Sequence, residues 1–427
     1  MSKKPFSELS REELLSEYNK LVSEYEKIKE EGIKLDMSRG KPSPEQLDLS
    51  DGMLDILKNK EDCIDGTADT RNYGILCGLP SARKLFADLC HVDAENVFVG
   101  GASSLQLMFD AVARAEIFGV DEASLPWSKC EKVKFLCPAP GYDRHFSICE
   151  TFGIEMIPVE MTESGPDMDA VEKLVSTDET IKGIWCVPKH SNPTGAIYSD
   201  ETVKRFASLS PAAKDFRIFW DNAYMVHDLN ENTPELLNIF SLTKGTKNEN
   251  MVYMFTSTSK ITHAGSGISA FITSADNMEY AKKYIGAQII SYDKVNQLRH
   301  VKFFKDADGV LSHMKKHAAL LRPRFETVLK AFDGELSGLG IAKWSRPTGG
   351  YFISLDVTGG SAKRVYELCR DAGVTLTNVG ATFPYGKDPC DENLRIAPSY
   401  PSVEELKKAS EILCLCVKIA CAETYLK

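Results

Sequence analysis

The 427-residue chain is 43% hydrophobic and 26% charged, the balance of a soluble globular protein with room for two or three units of ordinary domain size. Its formal net charge of −10, with acidic residues spread along the chain, argues against nucleic acid or a membrane surface as partner and requires that any bound anion be held by local groups. With no signal-like apolar core and no run of about 18 apolar residues we expect a cytoplasmic protein, and twelve scattered cysteines without a CxxC pair suggest reduced thiols filling core space rather than a metal site or disulfides.

Apolar positions at Leu14, Leu15, Tyr18, Leu21, Val22, Tyr25 and Ile28 predict a helix over residues 8–31, stopped by Gly32. The next stretch, LDMSRGKPSPEQLDLS, reads as proline-broken and extended. From about residue 97 short apolar runs alternate with amphipathic segments: NVFVGG, then SLQLMFDAVARAEIF, KVKFLCPAP, IKGIWCVPKH, FRIFWDNAY, MVYMFTST and ISAFITS. Such alternation predicts an α/β fold with a mainly parallel sheet between helices. Beyond it, GGYFISLDV, a helix over 362–372, NLRIAPS and a closing helix over 403–424 predict a smaller α+β unit. We expect residues 1–50 to join that small domain, 51–315 to form the large domain and 316–427 the small one.

In open α/β sheets ligands bind beyond the carboxyl ends of the strands. That rim should carry Ser103 and Ser104, Tyr142, Asn192, Asp221, Tyr224 and Lys260. One amine, one carboxylate, two phenols, an amide and several hydroxyls form the inventory needed to hold pyridoxal 5′-phosphate. An amine must form the Schiff base, a carboxylate must keep the pyridine nitrogen protonated, donors must stabilise the ring oxygen, and hydroxyls and backbone N–H groups must hold the phosphate. An aromatic side chain must cover the ring face.

In chain order, RNYGILCGLPSAR, GASS, PAPGY, SNPTG, DNAY, STSK and NLRIAPS resemble the motif series of class I aminotransferases, members of the fold type I pyridoxal-phosphate-dependent transferases. SRGKP, PGYDRHF and FWDNAYMVHDL are similar to a divergent bacterial subgroup of aspartate aminotransferases. The resemblance implies that Lys260 binds the cofactor covalently and then shuttles the substrate proton, and that Asp221 pairs with the pyridinium nitrogen. It implies that Asn192 and Tyr224 donate to the ring oxygen and that Tyr142 stacks on the ring. Ala102, Ser103, Ser104 and Ser257 match phosphate ligands, and Tyr73 matches a tyrosine that reaches the neighbouring subunit's phosphate, which implies a homodimer with shared active sites. Arg395 matches the receiver of the substrate α-carboxylate, and Gly40 a backbone position over the substrate. A strained junction at the site also leads us to expect cis bonds before Pro193 and Pro138.

Two departures stand out. Relatives follow the lysine with an arginine that clamps the phosphate, whereas this chain has Gly267 and Ile268 there; we expect the STS hydroxyls and the glycine backbone to form the cradle, with His263 or Lys189 supplying charge. No motif identifies a cation for a distal carboxylate, so Arg39, Lys41 and Arg144 are the candidates. The expected activity is ping-pong transfer of the amino group of an amino acid, foremost aspartate or glutamate, to a 2-oxo acid. Alternatives are transfer from aromatic amino acids, a lyase or decarboxylase on the same fold, or a cofactor-binding regulator without catalysis.

Overall fold

The computed structural model describes residues 4–427. A reciprocal capping box, in which the Glu13 amide donates to Ser10 Oγ and the Ser10 amide to the Glu13 carboxylate, starts helix α1 (Arg11–Glu30), whose Leu14, Leu21 and Tyr25 are buried. Gly32, at φ +62°, turns the chain out of it. Strand β1 (Leu35–Asp36) then pairs parallel with β14 (Val374–Thr375) far along the chain. The stretch expected to be extended is partly helical: Pro44 opens α2 (Pro44–Asp48), because its fixed φ suits a first helical position and its missing N–H would have no partner there. A short hairpin follows, β2 (Ile64–Asp65) with β3 (Ala68–Asp69), and then helix α3 (Pro80–Cys90).

The main sheet comprises β4 (Val97–Gly100), β5 (Lys134–Ala139), β6 (Glu155–Thr162), β7 (Gly165–Pro166), β8 (Ile181–Cys186), β9 (Arg217–Asp221), β10 (Val252–Ser257) and β11 (Ser269–Ile272), in the order β4-β11-β10-β9-β8-β5-β6-β7. The five strands from β10 through β6 in that order are parallel, while β11 runs antiparallel to both its neighbours. Alternate residues serve opposite faces. Phe135, Trp185, Phe219, Phe255 and Phe271 pack on one face of the sheet, and Leu136, Ile184, Ile218, Trp220 and Met254 pack on the other. Burial on both faces is why these strands read as unbroken apolar runs. β6 is not among the expected runs because only Met156 and Val159 are buried in it and Pro158 interrupts it.

A second core gathers α1, the antiparallel sheet β12 (Ala342–Trp344), β13 (Ile353–Val357) and β15 (Asn393–Ile396), and the helices Ala362–Asp371 and Val403–Leu426. One helix, Ala307–Glu335, serves both cores: Val310 and Met314 pack under the main sheet, whereas Leu321, Phe325, Val328 and Phe332 pack in the second. We propose the large-to-small division at this crossover, so that the expected 315/316 boundary falls inside a continuous helix. Among the described residues no helix is long and apolar enough to cross a membrane.

Register sets the site. Ser257 of β10 pairs with Ser269 of β11, which pairs with Gly100 of β4, so the turn after β4 and the loop after β10 lie side by side. On the other flank Phe255 pairs with Asp221 of β9. The cis bonds precede Pro193, as expected, and Pro140 rather than Pro138; Pro138 lies inside β5, in register with Val159.

Gly373 ties the N-terminal segment to the second core. It sits at φ +82°, and a Cβ there would lie 1.9 Å from the Ile33 carbonyl oxygen, beside the bond from the Leu35 amide to the Gly373 carbonyl. Gly373→Ala is expected to destabilise the fold by roughly 2 kcal/mol or more, read as a lower urea midpoint at unchanged denaturant slope.

Candidate active site

Asp221 is the last residue of β9 and only 3% exposed. Its Oδ2 lies 3.0 Å from His145 Nε2, which therefore donates. Oδ1 is buried and has no hydrogen-bond partner. His145 stands on the first turn of α5 (Asp143–Phe152) and stacks on Trp185, centroids 4.4 Å apart and planes 8° from parallel, so the imidazole is fixed by packing. A buried carboxylate with one idle oxygen carries an uncompensated desolvation cost. A protonated ring nitrogen is the kind of donor that removes it.

Lys260 follows β10 and is half-buried; loss of solvent around the amine pushes its ammonium pKa down, with Asp221 partly opposing, which favours the neutral amine needed for nucleophilic and proton-transfer work. Its Nζ lies 5.0 Å from the centre of the Tyr224 ring. The main chain of the lysine is held from behind. Tyr351 donates its hydroxyl to the Lys260 carbonyl at 3.2 Å and His227 Nε2 donates to the same oxygen at 3.4 Å. Gln46 Nε2 donates to Tyr351 and to His317 Nδ1, both at 3.0 Å, while His313 Nε2 donates to the Ile261 carbonyl at 2.9 Å. Residues from α2, from the segment after β9, from the long helix and from the second unit thus converge on two consecutive carbonyls.

The anion cradle forms where the register brings two turns together. Ser103 caps α4 (Ser104–Phe118) by accepting from the Leu105 amide, so the helix N-terminus faces the same rim and favours an anion. Ser257 Oγ donates to Ser259 Oγ at 3.0 Å, and Ser259 Oγ to the Ala102 carbonyl at 2.6 Å. Gly267 closes the loop: a Cβ there would lie 3.1 Å from the Ser259 nitrogen and 3.2 Å from the Ala102 oxygen. Ile268 is buried and donates its amide to Thr258 Oγ1 at 2.9 Å. Close packing at one position and core burial at the next are the physical reasons neither holds an arginine. The two cations expected to replace it have other partners: Lys189 pairs with Asp228 at 2.9 Å, and His263 lies 3.5 Å from Asp51.

At the opposite side Arg395, on β15, lies over the Phe352 ring at 4.9 Å. Its Nη1 is 3.4 Å from Asn192 Oδ1 and 3.0 Å from Asp143 Oδ1. Gly40 packs against the same ring so closely that a Cβ would lie 2.2 Å from Phe352 Cζ, which only glycine allows. Tyr142 immediately precedes α5 with its ring edge-on to His145, centroids 5.0 Å apart. Arg39 and Arg144 are exposed, and Lys41 rests on the Tyr400 ring at 3.9 Å. Tyr73 is 78% exposed and is not drawn into the rim of this chain. His145, Tyr351 and Asp143 are the residues that sequence reasoning missed. For His145 a signal existed, since it stands three residues after Tyr142 in PGYDRHF and thus on the same helical turn.

With that geometry in place, comparisons with known proteins point one way. The family described as aspartate amino-transferase matches residues 9–427. An aspartate aminotransferase of Corynebacterium glutamicum is 50% identical over 403 residues, covering 94% of this chain and 93% of that one. A crystal structure of an aspartate transaminase from the same species superposes with a TM-score of 0.96 at 47% identity over the whole of both chains. The fold extends further: an alpha-aminoadipate aminotransferase of Thermus thermophilus, solved with N-(5′-phosphopyridoxyl)-L-leucine, matches with a TM-score of 0.73 at 20% identity, over 94% of this chain and 95% of that one.

The buried histidines make a pH prediction. Burial pushes His300 and His317 from the ordinary 6.5 down to about 4. Both are neutral in the folded protein where the unfolded chain would already bind protons, so stability is complete above pH 6.5 and falls toward pH 4, by about 1.4 kcal/mol per pH unit for each histidine. Replacing both by Gln is expected to flatten the fall of the urea midpoint across that window.

Proposed function

The chain belongs to the aspartate aminotransferase family, and from that membership we propose that it moves the amino group of aspartate or glutamate to a 2-oxo acid, using pyridoxal 5′-phosphate. It is an aminotransferase of fold type I. The observation that carries the cofactor reading is Asp221 Oδ1, a buried acceptor without a partner among the described residues, on the same rim as a half-buried lysine whose desolvation favours the neutral amine. The residues fit the group: a carboxylate for the ring nitrogen, donors for the ring oxygen and a turn of hydroxyls and amides for the phosphate.

When bound, the cofactor supplies a protonated ring that accepts the electron pair left on Cα as the Cα–H bond breaks. Asp221, oriented by His145, would keep the proton on the ring nitrogen. Asn192 and Tyr224 would donate to the ring oxygen, Tyr142 would cover the ring face, and Ala102, Ser103, Ser104 and Ser257 would hold the phosphate. Lys260 Nζ would take the proton from Cα and hold it for its return later in the reaction. Arg395 takes the α-carboxylate in its planar fork and so aims the Cα–H bond at the lysine, with the Gly40 backbone over the substrate. Tyr73, exposed on its own subunit, reaches the phosphate of a second copy across a two-fold axis, giving a homodimer with shared sites. Its location is cytoplasmic.

The test is stoichiometric: aspartate with a 2-oxo acid is expected to yield a new amino acid and a new 2-oxo acid in equal amounts, and Lys260→Ala to abolish turnover. Ammonia or carbon dioxide as product, or full turnover without Lys260, contradicts the reading. Arg39 is the proposed partner of the distal carboxylate, so Arg39→Ala is expected to lower the preference for aspartate over alanine and phenylalanine in kcat/KM roughly ten-fold. An unchanged preference removes it from the site.

A further inference from the structure

Arg395 does not present an empty fork. Its Nη1 donates to Asp143 Oδ1 at 3.0 Å, its Nε lies 3.4 Å from Thr377 Oγ1, and its planar face rests on Phe352. The Arg395 side chain is 10% exposed and that of Asp143 34%, so the pair is sheltered more than a surface ion pair, whose contribution is small. An unpaired guanidinium in such a niche would be costly. Asp143 removes the cost through Nη1 alone, with the functional group and charge that a substrate α-carboxylate would bring.

The position of Asp143 adds to this. It is the first residue of α5, where a helix N-terminus favours an anion whether or not it is paired, so its charge remains tolerable if Arg395 is taken away. It directly follows Tyr142, and it belongs to the main-sheet unit, whereas Arg395 lies on β15 of the second core. The ion pair therefore spans the two cores beside the expected ring-facing tyrosine.

We propose that Asp143 is an internal occupant of the α-carboxylate position: it neutralises Arg395 in the empty site and is displaced from Nη1 by the carboxylate of the incoming substrate. This rests on the reading of Arg395 as the receiver of that carboxylate. Substrate binding is then an exchange of one carboxylate for another. Affinity is held below what Arg395 alone would give, and product leaves against a waiting competitor.

The test measures binding of succinate, a dicarboxylate without an amine that cannot react, to the cofactor-loaded enzyme by calorimetry at fixed ionic strength. Asp143→Asn and, as a second variant of different size, Asp143→Ser are both expected to tighten succinate roughly five-fold, while Arg395→Ala loses it. If Arg395→Ala loses binding but neither Asp143 variant tightens it, the exchange is wrong and the role of Arg395 stands. If Arg395→Ala still binds succinate at wild-type affinity, the role of Arg395 and the exchange fall together.

Discussion

The carboxylate of Asp221 ends a strand that is buried on both faces, and it gives one oxygen to His145 and the other to nothing among the described residues. Such a group persists only if the surroundings hold it and a ligand repays the desolvation. Here the holding is done by aromatic packing. Phe219, two residues earlier, packs on Trp185, and Trp185 carries the imidazole of His145 flat against its ring. The core of the sheet and the electrostatics of the site are one construction, since loosening the aromatic layer would let the imidazole turn away from the carboxylate.

A second constraint works on the lysine. The Schiff-base role proposed for Lys260 asks the side chain to swing between bound and free forms without losing its place, and the chain fixes its backbone. Donors from Tyr351, His227 and His313 fall on the carbonyls of Lys260 and Ile261, leaving the side chain as the moving part. In the proposed reading the same loop would also hold a phosphate without an arginine clamp. Gly267 presses its backbone against Ser259 and Ala102 while Ser257 and Ser259 chain their hydroxyls across the gap. Geometry replaces charge to the extent that short polar groups from two adjacent turns can do so.

Much of this was legible in the sequence because the sheet is buried on both faces. β4, β5, β8, β9, β10 and β11 announce themselves as apolar runs, and the residues at the carboxyl ends of β4, β9 and β10 lie on the rim where a ligand would find them, whereas antiparallel β11 presents its first residue there. What could not be read were contacts closed by topology. His145 meets Asp221 across 76 residues and Asp143 meets Arg395 across 252, and no local pattern encodes either. Gln46 looked like part of an extended stretch and is instead a buried donor on a short helix. Pro138 and Pro140 are alike as letters; only the pairing of β5 with β6 shows that the first lies within the ladder and the second begins the turn. The missing arginine was visible as an absence, but that Asp228 and Asp51 stand beside Lys189 and His263 was not.

The central claim is that Asp221 Oδ1 awaits a protonated ring nitrogen, and the most direct measurement is the 15N resonance of pyridoxal 5′-phosphate labelled at that nitrogen and bound to the enzyme. The account predicts a protonated pyridinium signal near neutral pH that shifts to the unprotonated position in Asp221→Ala. An unprotonated nitrogen in the wild-type enzyme, or a protonated one that ignores the loss of Asp221, would contradict it.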